Sequence, residues 1–227
     1  MDGVIFDSER LYMECCREAA EVFGVEDIES TVYAAIGLTT EKTHELYRRK
    51  YGEDFPLDSF WKEATGRFAK KAKGGLLPVK KGARELLEML YKKGVPTALA
   101  SSTKTETVIR ELIAADLFGY FRTIAGGDMV TKSKPEPDIF LLAAKNAGFA
   151  PEECVIIEDS FNGVRAAKAA GGYVIMVPDL VQPDENILAL TDRVEPSLDE
   201  VGIIQRRKLF LRITASSFPY NHFIFFV

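Results

Sequence analysis

The sequence predicts an α/β protein, a doubly wound parallel sheet with helices on both faces and a helical insert near its start, on three observations. From about Val79 onward, short apolar runs alternate with stretches of helical periodicity, the rhythm of βα units. Those runs are apolar along their whole length, as strands covered on both faces are. Residues 11–77 instead carry helical patterns with no comparable string of strands.

Taken in order, the insert shows three helical stretches, LYMECCREAAEVFG, EKTHELYRRKYG and FWKEATGRFAKKAKG, and Gly74, Gly75 and Pro78 mark the return from it. Beyond it, helices are predicted over 82–91, 106–115, 139–147 and 164–170, from apolar residues at spacings of three and four. Strands are predicted over 95–100, 123–125, 155–157 and 174–177. Gly94, Gly148 and Gly171 stand where left-handed C-cap residues belong, and Lys92, Lys93, Lys145 and Lys168 suit the last turns of their helices.

The chain has 227 residues, 47% hydrophobic and 28% charged, which excludes disorder and collagen-like order. A net charge of -5 gives no basic footprint for nucleic acid or an anionic membrane. Cys15, Cys16 and Cys154 form neither a disulfide framework nor a metal-ligand spacing and suit a reducing compartment. The opening MDGVIFDSER lacks the basic and long apolar regions of a signal peptide, and no run of 18 apolar residues is free of charge. The reading is a cytoplasmic monomer.

Three clusters carry chemistry, each placed at the carboxyl end of a strand, where doubly wound sheets bind ligands. The first is Met1-Asp2-Gly3-Val4-Ile5-Phe6-Asp7-Ser8-Glu9. The second, Leu99-Ala100-Ser101-Ser102-Thr103-Lys104, opens an apolar strand into hydroxyls just before a helix and so offers donors to an anion. The third joins Lys132-Ser133-Lys134-Pro135-Glu136-Pro137-Asp138 to Val155-Ile156-Ile157-Glu158-Asp159-Ser160, a lysine held by prolines and two adjacent acids that suit a hard cation. Asp7, Ser8 and Glu9 are read chiefly as a helix cap with acids in the first turn. His44 reads as an exposed histidine, 70–73 as a solvated basic face, and Phe60, Trp61 and Phe68 as the insert's own core.

In this order and spacing the clusters resemble the haloacid dehalogenase superfamily of phosphohydrolases, in its β-phosphoglucomutase-like branch, over roughly residues 1–200. The resemblance implies a Rossmann-like core from 1–10 and 79–202, a helical cap from 11–78, and an unassigned tail at 203–227. It also implies Mg²⁺ and a small phosphorylated metabolite as substrate. By the same resemblance Asp2 is the general acid/base, and its main-chain carbonyl is a metal ligand. Ser101 and Ser102 bind phosphoryl oxygens, and Lys134 stabilises the nucleophile and the transferring group. Glu158 and Asp159 are metal ligands, with Thr103 and Asn162 as further candidates around them. In the cap, Gly37, Thr39, Thr40 and Lys42 fall in the substrate-specificity loop.

Three departures qualify this. The family's first strand and its nucleophilic Asp would precede Met1, and Asp7 lies too far along to replace that acid. The first core strand therefore reads as missing, leaving two strand edges unpaired. On that reading the chain as it stands is expected to be inactive, with the α-ammonium of Met1 beside the metal site. The Phe- and Ile-rich tail RRKLFLRITASSFPYNHFIFFV matches nothing in the family. Thr40 and Tyr12 stand where mutase members carry a basic residue and a histidine. The favoured function is thus a Mg²⁺-dependent phosphatase acting through a phosphoaspartyl intermediate. The alternatives are a phosphosugar mutase of the same branch and a non-catalytic remnant.

Overall fold

The computed structural model describes residues 1–35, 40–201 and 224–226, with residues 40 and 224–226 described as backbone only. Four helices form the insert: α1 (Ser8–Phe23), α2 (Ile28–Ala35), α3 (Thr40–Tyr51) and α4 (Leu57–Lys71). The α/β unit follows as α5 (Ala83–Lys92), β1 (Thr97–Ala100), α6 (Thr105–Ala114), β2 (Thr123–Ala125), α7 (Asp138–Ala147), β3 (Cys154–Glu158), α8 (Phe161–Ala170), β4 (Tyr173–Met176), α9 (Glu185–Leu188), β5 (Arg193–Val194) and β6 (Ile224–Phe226). Among the described residues no helix is long and apolar enough to cross a membrane.

The strands form one parallel sheet in the order β2-β1-β6-β3-β4-β5. Their period of two divides them between two cores. Leu99, Val155, Ile157 and Ile175 face the layer of α5 and α6, where Leu86, Leu87, Leu90, Val108 and Leu112 are buried. Ala98, Ala100, Ile156, Val174 and Met176 face α7 and α8, packing on Phe140, Ala143, Val164 and Ala167. Burial on both faces is why these runs read as continuously apolar.

The lane between β1 and β3 is occupied, which corrects the expectation of two unpaired edges. β6, from the tail left unassigned, pairs with both neighbours: Phe225 stands opposite Thr97 on one side and Val155 on the other. Facing strand edges present unsatisfied N–H and C=O groups, and a β-branched and aromatic segment is well suited to satisfy them.

Helix boundaries shift where special residues act. Gly82, expected as the first residue of α5, has φ +85°, and a Cβ there would lie 2.7 Å from the Asp199 amide nitrogen. It is a turn residue, and α5 starts one position later. α8 starts three residues before its apolar periodicity because Ser160 caps it, accepting from the Gly163 N–H at 3.1 Å. Gly148 and Gly171 are left-handed C-caps as expected.

In the insert, Cys16, Ala19 and Ala20 of α1 pack with Tyr47 of α3 and Leu57, Phe60 and Ala64 of α4. Trp61 lies against this cluster as expected, whereas Phe68 packs against the core under the sheet. Lys71 leaves the solvated face to pair with Glu14 and Glu18, at 2.6 and 2.7 Å. His44 is half-buried, its ring 5.1 Å from that of Trp61. The chain leaves for the insert and returns along one seam: the Asp7 N–H donates to Pro78 O, and the Lys80 N–H to Ile5 O, both at 2.8 Å.

Candidate functional site at the carboxyl end of the sheet

β1 and β2 are wound to one side of the β6 lane and β3, β4 and β5 to the other, so the strand order reverses between β1 and β3. That reversal opens a crevice beyond their carboxyl ends. Ser101 follows β1, while Glu158 ends β3 and Asp159 follows it.

The first residues of the chain fold into this crevice as a tight turn. The carbonyl of Met1 accepts from the N–H groups of Val4, Ile5 and Phe6, and Gly3 N–H donates to Phe6 O at 3.0 Å. Gly3 has φ +70°, and a Cβ there would stand 1.9 Å from Asp159 Oδ2, so only glycine lets the two segments meet. Met1 is buried, and its main-chain nitrogen lies in the field of Asp2, Lys134, Glu158 and Asp159.

Asp2 accepts two hydroxyl hydrogen bonds, from Ser8 Oγ to Oδ1 and from Thr103 Oγ1 to Oδ2, each 3.0 Å long. Ser101 is 3% exposed, and its Oγ accepts from the Thr103 N–H at 3.1 Å, which leaves the hydroxyl proton available to another acceptor. Lys134 pairs with Glu158, and its ammonium lies 4.9 Å from the centre of the Phe140 ring. Ser160 Oγ donates to the other Glu158 oxygen at 3.1 Å. A Cβ on Gly163 would strike that same oxygen at 1.9 Å. Burial disfavours a charge on Glu158, but the Lys134 ammonium, the α-ammonium of Met1 and the Ser160 hydroxyl together outweigh it and hold the carboxyl below its ordinary range. Burial, and then the charge of Glu158, push the Asp159 carboxyl up to about 7.

A cavity of about 420 Å³ opens beside these groups, lined among others by Glu9, Ser102, Lys134, Asp159, Asn162 and Asp179. The side chain of Asp179 is 2% exposed; Lys80 Nζ stands 2.7 Å from its Oδ1 without being directed at it as a hydrogen bond. Lys80 also donates to Gly3 O at 2.8 Å, tying the insert's return to the first turn.

The structure thus brings together Asp2, Ser101, Ser102, Lys134, Glu158 and Asp159. It does not do so for the cap residues: Gly37 and Thr39 lie outside the described residues, as does the side chain of Thr40, and Lys42 is exposed on α3. Asp7 makes no capping hydrogen bond to α1 and instead pairs with Arg10 at 3.2 Å, so the capping reading fails there. Ser8 holds Asp2, and Glu9 lines the cavity. Ser8, Glu9 and Asp179 were missed as site residues. The three-residue periodicity of an opening helix turn hid the first two, and Asp179 sits in a loop without a strand-end signal.

Among the described residues no three His, Cys, Asp or Glu side chains converge as a metal site. The carboxylates available to a hard cation are Glu158 and Asp159. Burial and the charge of Glu158 both disfavour an ionised Asp159, and a divalent ion would offset both, so the donor chemistry fits, with the remaining ligands left to main-chain carbonyl and solvent.

Residues 1–177 match the family model for haloacid dehalogenase-like hydrolases. The chain belongs to that family. Within this hydrolase family it falls in the β-phosphoglucomutase-like branch. It is 34% identical over 171 residues to a phosphorylated carbohydrates phosphatase of Thermotoga maritima, covering 75% of this chain and 79% of that one. It is 31% identical over 213 residues to the protein CbbY of Cereibacter sphaeroides, covering 89% and 91%. Among solved structures, a haloacid dehalogenase family hydrolase of Deinococcus radiodurans with bound phosphate and sodium superposes with a TM-score of 0.76 at 27% identity, covering 90% of this chain and 93% of that one. A candidate β-phosphoglucomutase of Thermotoga maritima gives 0.74 at 29% identity, covering 92% and 97%.

Proposed function

We propose that this hydrolase cleaves a small phosphomonoester with Mg²⁺ bound, through a phosphoaspartyl intermediate. The observation that carries the reading is the convergence of Asp2, Ser101, Lys134 and Asp159 on one crevice from four separate stretches of chain. The names of relatives support it: a phosphorylated carbohydrates phosphatase, and a CbbY structure solved in complex with phosphate.

The division of labour follows from the geometry. Lys134, fixed by Glu158 and Phe140, presents a cation to the phosphoryl group, and the Ser101 and Ser102 hydroxyls donate to its oxygens. Asp2, held by Ser8 and Thr103, gives a proton to the leaving oxygen and then takes one from the water that attacks the phosphoaspartyl group. Asp159, Glu158 and the Asp2 carbonyl would hold Mg²⁺, which offsets negative charge on the transferring group. The attacking carboxylate belongs, by the family pattern, at the position before Met1, and the 227 residues themselves supply no acid there. Tyr12 in place of a histidine disfavours a phosphosugar mutase.

The test is phosphate release from a panel of phosphomonoesters, with Mg²⁺ and with chelator, by this polypeptide and by one preceded by an apolar strand ending in Phe-Asp. Chelator-sensitive release by the extended polypeptide supports the reading. No release from either, with both folded, overturns it.

A further inference from the structure

A second cavity, of about 190 Å³, lies inside the insert, walled by Tyr12 and Cys16 of α1, Val32 of α2, Tyr47 of α3 and Trp61 of α4. Leu180, from the loop after β4, lines it on the side of the core. Glu9 and Leu180 line both this cavity and the 420 Å³ cavity that holds Lys134 and Asp159, so the two spaces share a wall at the first turn of α1.

The smaller is the more apolar of the two. The larger is bounded by Ser102, Lys134, Asp159, Asn162 and Arg165, groups that suit an anion and a cation. The smaller is bounded mainly by rings and aliphatic groups. A polyhydroxylated sugar placed there would leave its hydroxyls largely unpaired, each at a cost of about 1–3 kcal/mol. A flat unsaturated ring would stack on, or meet edge-on, Tyr12, Tyr47 and Trp61. Its size is compatible with this: an apolar cavity of roughly 150 Å³ takes a benzene ring, so 190 Å³ has room for a planar ring.

We infer that the insert's cavity is a leaving-group subsite for a planar ring, and that the substrate is the phosphate ester of an alcohol carrying such a ring, its phosphate beside Lys134 and its ring against Trp61. Glu9, on the wall between, accepts a hydrogen bond from a hydroxyl or N–H of the linking part. This rests on the phosphomonoester reading and narrows its substrate class.

Trp61 is the chain's one tryptophan, so its fluorescence reports on this cavity alone. The experiment titrates the full chain, with Mg²⁺, using benzyl phosphate, glucose 6-phosphate and inorganic phosphate, and measures phosphate release in parallel. The expected result is a saturable change of Trp61 emission with benzyl phosphate, at a dissociation constant at least tenfold below that for glucose 6-phosphate. Val32→Phe, which fills the cavity, should weaken benzyl phosphate about tenfold relative to inorganic phosphate. Glucose 6-phosphate binding as tightly as benzyl phosphate, or benzyl phosphate leaving Trp61 unchanged, would overturn the inference while leaving phosphatase activity to be judged by phosphate release. Ring-selective binding without phosphate release from any polypeptide carrying the added Asp would uphold the subsite and sink the hydrolytic reading.

Discussion

Thr103 Oγ1 donates to Asp2 Oδ2 at 3.0 Å across a sequence separation of 101 residues, and Ser8 Oγ holds the other oxygen at the same distance. The candidate acid/base is thereby fixed from both sides, by the loop that also carries Ser101 and by the first turn of α1. Its orientation is set by hydroxyls of fixed loops rather than by solvent.

Thr103→Val should therefore destabilise the fold by about 1.5–3 kcal/mol, since a hydrogen bond to a charged acceptor is lost. Urea unfolding measures it. In an Asp2→Asn background the cost should shrink, and a double-mutant cycle with no coupling between the two positions would contradict the contact.

Gly3→Ala places a methyl group where Asp159 Oδ2 stands, 1.9 Å away, at a φ of +70° that L residues adopt at a cost. The expected loss is at least about 1–2 kcal/mol, with Asp159 displaced. Thermal unfolding together with Mg²⁺ titration checks both effects. A wild-type melting temperature with unchanged Mg²⁺ affinity would contradict this packing.

Glu111 on α6 is 6% exposed, and burial, then the charge of Asp2, raise its carboxyl to about 7 against the partial opposition of Arg110. The folded state keeps this proton to a higher pH than the unfolded chain does. Its contribution to stability is therefore present below about pH 4.5 and is lost as pH rises through 7, by as much as about 3 kcal/mol. Glu111→Gln should flatten that part of the pH profile and be more stable than the wild type at pH 8. Parallel profiles for the two from pH 5 to 8 would refute the assignment.

Phe225→Pro removes a ladder donor from the middle of β6, where both neighbours are paired, and should cost about 3 kcal/mol or more. A polypeptide extended by an apolar strand ahead of Met1 should compete for the same lane. Limited proteolysis would then cut at the displaced β6 faster than in the unextended chain. Equal cleavage of the two would show that the added strand does not enter the lane.

Much of the core was legible because its strands are buried on both faces: Cys154–Glu158 and Tyr173–Met176 announce themselves as apolar runs, and Gly148 and Gly171 as caps. β5 was not legible, since Arg193 and Val194 are exposed and form no apolar run. β6 was apolar enough to notice, but its place depends on which edges the rest of the sheet leaves open, a property of the assembled fold. The site divides the same way. Ser101 and Asp159 directly follow β1 and β3 and so stood out as candidates, and Lys134 stood out by the prolines that follow it, whereas Ser8 and Glu9 read as an ordinary first helical turn, and only the fold brings that turn to the crevice.

The most direct test of the central claim is Mg²⁺-dependent phosphate release by the polypeptide carrying Phe-Asp before Met1, compared with the same polypeptide bearing Asp2→Asn. The account predicts chelator-sensitive turnover that falls about 10²–10⁴-fold with Asp2→Asn while the fold is retained. Turnover unaffected by Asp2→Asn, or indifferent to chelator, would contradict it.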